Sequence, residues 1–291
     1  MTWPPVQGST TAHVIVPAPA RGPGNWAGAP SATLDAQGAT VLAYRLRLAA
    51  GRGVANVVAR SLGGERFTTL ATMDKECFGA LSLERPAIVR TEEGRWRLYV
   101  SCALAGKAWR VDMLEADDPA ALREASPRTV FPGDESTAMK DPVIRRRNGQ
   151  WQAWLCCHPL EDPGEEDRMR TAYLTSNDGL DWDYVATALE GRRGCWDARG
   201  SRVTAVLSNG WAIYDGRATR EENFSESTGI ARPVGQSGQF VAEGDAAVLD
   251  ARYLDVLEMP DGSCQVFYEA PLEDGSHELR SEVIDRVNWP V

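Results

Sequence analysis

Short runs of alternating apolar and polar residues, broken by glycine-bearing turns, recur along this chain in one phrase repeated five times. The copies are Ser31–Tyr44 around Gly38, Pro86–Tyr99 around Gly94, Pro142–Trp154 around Gly149, Arg202–Tyr214 around Gly210, and Leu254–Tyr268 around Gly262. Alternation of period two marks a strand with one buried face, and two such runs joined by a polar glycine turn form a hairpin. The turn glycines stand 56, 55, 61 and 52 residues apart. A repeat of roughly 50 residues built from hairpins predicts a β-propeller. The expectation is therefore an all-β, five-bladed β-propeller with four-stranded antiparallel blades around a central cavity. The blades fall near 26–80, 81–135, 136–192, 193–248 and 249–291 in a single domain, with the alternating segment 11–16 closing the ring beside the last blade. An open sheet edge would otherwise invite pairing with another chain.

The outer halves of the blades are also visible. Val54–Ser61, Trp109–Ala116 and Arg170–Ser176 read as further strands, and the phrase Ser176-Asn177-Asp178-Gly179-Leu180-Asp181-Trp182 reads as a hairpin with an Asp-Gly turn. Composition adds exclusions. A net charge of −10 argues against nucleic acid or an anionic membrane as partner, because both require a basic face. No apolar run reaches the roughly 20 residues that span a bilayer. Met1-Thr2-Trp3-Pro4-Pro5 lacks the basic-then-apolar order of a signal peptide. Six cysteines show no metal-type CxxC spacing. These features predict a cytoplasmic protein with reduced thiols, and nothing in the sequence asks for a metal or cofactor.

In a propeller the innermost strand begins, and the second strand ends, at one rim of the central cavity. Aligning the five turns gathers there Glu84, Asp141, Asp197, Asp215 and Glu269, with Arg85, Arg199, Arg217 and Arg252 interleaved. Tyr44 and His158 stand at the ends of second strands, and Trp26 and Trp196 stand close to first strands. Each has a plainer reading. An aspartate before proline caps a turn, a glutamate beside arginines forms a structural ion pair, and tryptophan packs in cores.

The segments Lys140-Asp141-Pro142-Val143-Ile144 and Glu84-Arg85-Pro86-Ala87-Ile88-Val89, the Asp-Gly-x-x-Trp hairpin and the number of repeats together resemble the five-bladed propeller glycosidases of families 32, 43 and 130. The resemblance spans nearly the whole chain and implies catalytic or substrate-orienting roles for Asp141 and Glu84. It departs at Ala29, where the arabinanase-type pattern has an aspartate, and at Arg199-Gly200, where it has a glutamate; Asp197 lies just upstream of the latter. Cleaving a glycosidic bond takes one protonated carboxyl for the leaving oxygen and one ionised carboxyl to activate water or attack, in environments that push their pKa values apart. The expected function is a glycoside hydrolase acting on a small-molecule carbohydrate. Asp141, Glu84 and Asp215 form its acidic centre, with Asp197 and Glu269 in reserve. Arg85, Arg199 and Arg217 bind hydroxyls, a carboxylate or phosphate; Trp26 and Trp196 stack on sugar faces; Tyr44 and His158 complete the contacts. The alternatives are phosphorolysis and a non-catalytic sugar-binding propeller.

Overall fold

The computed structural model describes residues 12–63 and 65–284. The Met1–Pro5 segment, Thr11, Gly64 and residues 285–291 lie outside the described residues. Among the described residues, twenty strands carry the fold. β1 (His13–Val16) is followed by β2 (Trp26–Leu34), β3 (Thr40–Leu48), β4 (Arg52–Ser61) and β5 (Thr68–Asp74), an antiparallel meander. β6 (Ser82–Arg90), β7 (Trp96–Ala103), β8 (Trp109–Ala116) and β9 (Arg128–Phe131) form a four-stranded antiparallel sheet. So do β10 (Thr137–Arg147), β11 (Gln150–Pro159), β12 (Arg170–Ser176) and β13 (Asp183–Glu190), and then β14 (Gly200–Val206), β15 (Ala212–Arg217), β16 (Ser227–Pro233) and β17 (Phe240–Glu243). The last repeat contributes β18 (Arg252–Glu258), β19 (Cys264–Pro271) and β20 (His277–Ile284). β1 pairs antiparallel with β20, His13 opposite Ser281. β20 also meets β2 through one parallel pairing, Trp26 with His277, so the first and last repeats share a mixed eight-stranded sheet.

Each repeated phrase is the hairpin between the first two strands of its repeat. Gly38, Gly94, Gly149, Gly210 and Gly262 all take positive φ, between 77° and 93°. This left-handed backbone is open to glycine at little cost, which is why these positions punctuate the sequence. The hairpin ending at Trp182 reaches the neighbouring repeat, where the Tyr99 hydroxyl donates to the Gly179 carbonyl at 2.9 Å.

The apolar residues form five clusters, each shared by two successive repeats. Val41, Met73 and Leu98 join the first and second, and Tyr99, Val111 and Trp151 the second and third. Trp154, Val203 and Tyr214 join the third and fourth, and Ile213, Leu254 and Val266 the fourth and fifth. Leu42, Tyr44 and Phe267 join the fifth to the first. Apolar faces thus pack sheet against sheet.

Candidate active site

The innermost strand of every repeat carries a one-residue bulge. The shifts fall between Gly28 and Ser31, Leu83 and Pro86, Lys140 and Val143, Val203 and Ala205, and Arg252 and Asp255. A bulge leaves a residue outside the ladder and redirects side chains. Three non-glycine residues in these bulges, Ala29, Asp141 and Tyr253, take φ of 52°. Such conformations are unfavourable for side-chain-bearing residues and concentrate at functional sites.

Arg85 occupies the axis of this arrangement. Its Nε donates to the Pro30 carbonyl at 3.0 Å, Nη1 to the Pro142 carbonyl at 2.8 Å, and Nη2 to the Thr204 carbonyl at 2.8 Å and to Asp255 at 3.3 Å. One buried guanidinium from β6 thereby ties together β2, β10, β14 and β18. Arg85 is fully engaged as a structural hub; it borders the cavity at the far end of the axis, beside Asp255 and Glu258.

Above the hub, acids and bases alternate. Arg217 pairs with Glu226 at 3.1 Å, Glu226 with Arg252 at 2.7 Å, Arg252 with Glu269 at 2.9 Å, and Glu269 with Arg45 at 2.8 Å. Arg45 also bonds Glu84, which lies 3.5 Å from Arg47. A second chain passes through Arg202. Its Nη1 donates to Asp141 Oδ2 at 3.1 Å and its Nη2 to Asp215 Oδ2 at 2.6 Å. The Tyr253 hydroxyl donates to Asp141 at 3.2 Å, and the Tyr253 backbone N–H donates to Asp215 at 3.0 Å. Asp141, Asp215 and Glu269 have no accessible surface, and Glu84 is 6% exposed. Buried charges persist only where opposite charges and hydrogen bonds compensate their desolvation, and this lattice supplies both.

The two carboxyls flanking Arg202 are driven in opposite directions. Burial raises the pKa of both. At Asp141 the charges of Lys140, Arg202, Arg45 and Arg85 overcome it and hold the carboxyl below its usual range. At Asp215 burial prevails over Arg202, with Glu226 adding to it, and the pKa is raised. Burial likewise opposes ionisation of Glu269 and Glu226, but Arg45, Arg252 and His277 hold Glu269 low, and Arg252, Arg202 and Arg217 bring Glu226 to about 2.

A pH dependence of stability follows from these directions. Glu226, Asp141 and Glu269 are ionised in the folded protein at pH values where the unfolded chain protonates them. Their stabilisation is complete above about pH 4.5 and is lost as pH falls towards 2. Asp215, shifted upwards, works in the opposite sense. Denaturant unfolding at stepped pH is expected to show falling stability between pH 4.5 and 2, with a flatter slope in Glu226→Gln. An unchanged slope in that variant would mean that Glu226 carries none of the linkage.

The residues chosen from sequence divide into groups. Glu84, Asp141, Asp215, Glu269 and Arg217 join the central lattice. Trp26 stacks on His277 at 4.7 Å and lies beneath the guanidinium of Arg47 at 4.6 Å, with the half-exposed Phe224 against it at 5.1 Å. Phe224 holds φ of 82°. His158 is at the edge of the lattice, Nε2 3.6 Å from the Cys156 sulfur and Nδ1 3.1 Å from the Glu166 carbonyl. Burial, with Lys140 nearby, lowers its pKa to about 3, so the ring is neutral.

The structure places the others apart. Asp197 is held by Arg192 at 2.9 Å and by the Tyr214 hydroxyl at 2.8 Å. Arg199 pairs with Glu165 and with Asp167, which itself meets Arg217 at 3.4 Å, so Arg199 borders the lattice from outside. Trp196 stacks on Tyr214 at 5.6 Å. Tyr44 packs in the apolar cluster between the first and last repeats. Sequence reasoning passed over Arg45, Arg202, Glu226, Tyr253 and Asp255 as site residues. For Arg45 the signal was strand parity: adjacent residues face opposite ways, so Tyr44 in the apolar layer puts Arg45 in the centre. Glu269 packs against the start of the first repeat, where a Cβ on Gly28 would collide with its carboxylate.

No protein-family pattern and no curated protein sequence matches the chain. Solved structures do. A candidate glycoside hydrolase from Parabacteroides distasonis aligns over 98% of this chain and 95% of its own, at 16% identity and a TM-score of 0.64. A family 32 β-fructofuranosidase from Bombyx mori aligns over 95% and 65%, at 13% identity and a TM-score of 0.64. A β-1,2-mannobiose phosphorylase from Listeria innocua aligns over 96% and 92%, at 13% identity and a TM-score of 0.62. The chain shares the fold of these structures. Among the described residues no helix is long and apolar enough to cross a membrane.

Proposed function

We propose that this chain is a five-bladed propeller enzyme that hydrolyses a glycosidic bond by carboxylate chemistry at its centre. The five interfacial clusters and the single guanidinium that reaches from one innermost strand to the other four support the blade count. The observation that carries the catalytic reading is the pair Asp141 and Asp215, set on either side of Arg202 and pushed in opposite pKa directions. Asp215, whose pKa is raised by burial, is the proton donor to the leaving oxygen. Asp141, held ionised, is its partner. Separated pKa values are what acid and base roles require of two carboxyls. Glu84, the most exposed acid of the lattice, lies beside Arg47, whose guanidinium covers the buried Trp26 ring.

Water is the acceptor in this proposal. Arg85, Arg199 and Arg217, the arginines available to hold phosphate, already have carboxylate or carbonyl partners. Product release from a panel of aryl glycosides and oligosaccharides is therefore expected to be indifferent to inorganic phosphate. A rate that rises in proportion to phosphate would replace hydrolysis with phosphorolysis. One observation favours a second reading, a sugar-binding propeller without turnover: each central acid is already paired and Asp141, Asp215 and Glu269 lack accessible surface. Sugar binding without release from any panel member would establish it.

A further inference from the structure

A separate cavity of about 420 Å³ lies between the third and fourth repeats, a size suited to a small-molecule ligand. Its charged lining consists of Arg145, Arg146 and Arg147, with no carboxylate, on a protein of net charge −10. Arg145 and Arg147 are two apart in β10 and so share a face. Glu258, which meets Arg145 at 3.5 Å, lines the neighbouring cavity instead. Arg147 is exposed, and among the described residues it pairs with no carboxylate. Burial pulls the pKa of Arg145 down and the charge of Arg147 adds to this, against Glu258 and Asp255. Arg145 also donates to the Val206 carbonyl, so among the described residues the guanidinium left open to an anion on this wall is that of Arg147.

Amides complete the cavity. Gln152 Nε2 donates to the Tyr173 hydroxyl at 2.8 Å, and Gln239 Nε2 donates to the Thr187 carbonyl at 3.1 Å. Each bond spends a donor and leaves the amide oxygen as an acceptor. Gln236 and Asn148 add exposed amides at the rim. Trp154 and Tyr173 are almost wholly buried, so they wall the cavity and offer no open ring face.

We propose that this cavity binds a phosphorylated or carboxylated sugar, its oxyanion held by Arg147 in the positive field of the neighbouring Arg145, and its hydroxyls by the surrounding amides. The guanidinium fork matches both phosphate and carboxylate oxygens, and amide oxygens accept from sugar hydroxyls. The site is independent of the acidic centre. Calorimetric titration of the full chain with glucose 6-phosphate and with glucuronate tests the proposal, with glucose and inorganic phosphate as controls. At least one anionic sugar is expected to bind. Arg147→Glu is expected to weaken that binding by about tenfold or more, equivalent to about 1.4 kcal/mol, and Gln236→Ala is expected to weaken it less. Both positions are exposed, and an unchanged denaturation midpoint checks that each variant is folded. Which anionic sugar binds more tightly distinguishes the phosphate from the carboxylate. The proposal is overturned if neither binds, if Arg147→Glu binds as well as wild type, or if glucose or phosphate alone binds equally tightly.

Discussion

Replacing Arg85 by methionine is expected to lower the unfolding free energy by about 3–5 kcal/mol, the range for breaking a buried ion pair from one side. The side-chain volume is roughly kept, so the loss comes from polar groups. The carbonyls of Pro30, Pro142 and Thr204 each lose a donor, and Asp255 loses its cation. Leaving buried groups unsatisfied costs more than the mean value of a hydrogen bond. Arg85→Lys restores a charge near Asp255 but has no planar fork to reach three carbonyls on three strands, so it is expected to recover only part of the loss. Denaturant unfolding followed by tryptophan fluorescence measures both. A loss below about 1 kcal/mol in Arg85→Met would show that the axis is not held by this side chain.

Asp215→Asn is expected to reduce turnover by about 10²–10⁴-fold, the usual contribution of a positioned general acid. Asparagine keeps the shape and accepts from Arg202, but has no proton to deliver. In wild type the raised pKa of Asp215 is expected to set the alkaline limb of the rate profile, because a proton donor stops working once it ionises. Asp141, held low, is expected to set the acid limb, because protonating it removes the ionised partner. Asp141→Asn should therefore erase the acid limb together with most of the rate. Asp197→Asn is the contrast: its carboxylate is committed to Arg192 and Tyr214, so its effect is expected on stability. Rates of Asp215→Asn and Asp197→Asn that fall equally would refute the division between the two aspartates.

The repeat was legible because it rests on local rules. Five turns need positive φ and have glycine there, and two-residue alternation sorts each strand into apolar and polar faces. The site was legible only in outline. Glu84, Asp141, Asp215 and Glu269 could be placed at one rim because they follow or precede recognisable strands. Their partners were hidden, since Arg45 is 224 residues from Glu269 and Arg202 is 61 from Asp141. Asp197 misled because it sits a few residues upstream of β14, and that short turn sends its side chain to Tyr214. Arg85 misled because its place in the sequence beside Glu84 says nothing of which way the bulge turns it. Glu226 follows an irregular loop, outside any strand pattern.

Central to this account is that the buried acids perform chemistry on a glycosidic bond. The measurement that tests it most directly is product release by wild type and by a folded Asp215→Asn protein across the glycoside panel. Release by wild type is expected to drop at least about a hundredfold in the variant. Equal release by both proteins, or none from wild type while it binds sugars, would contradict it.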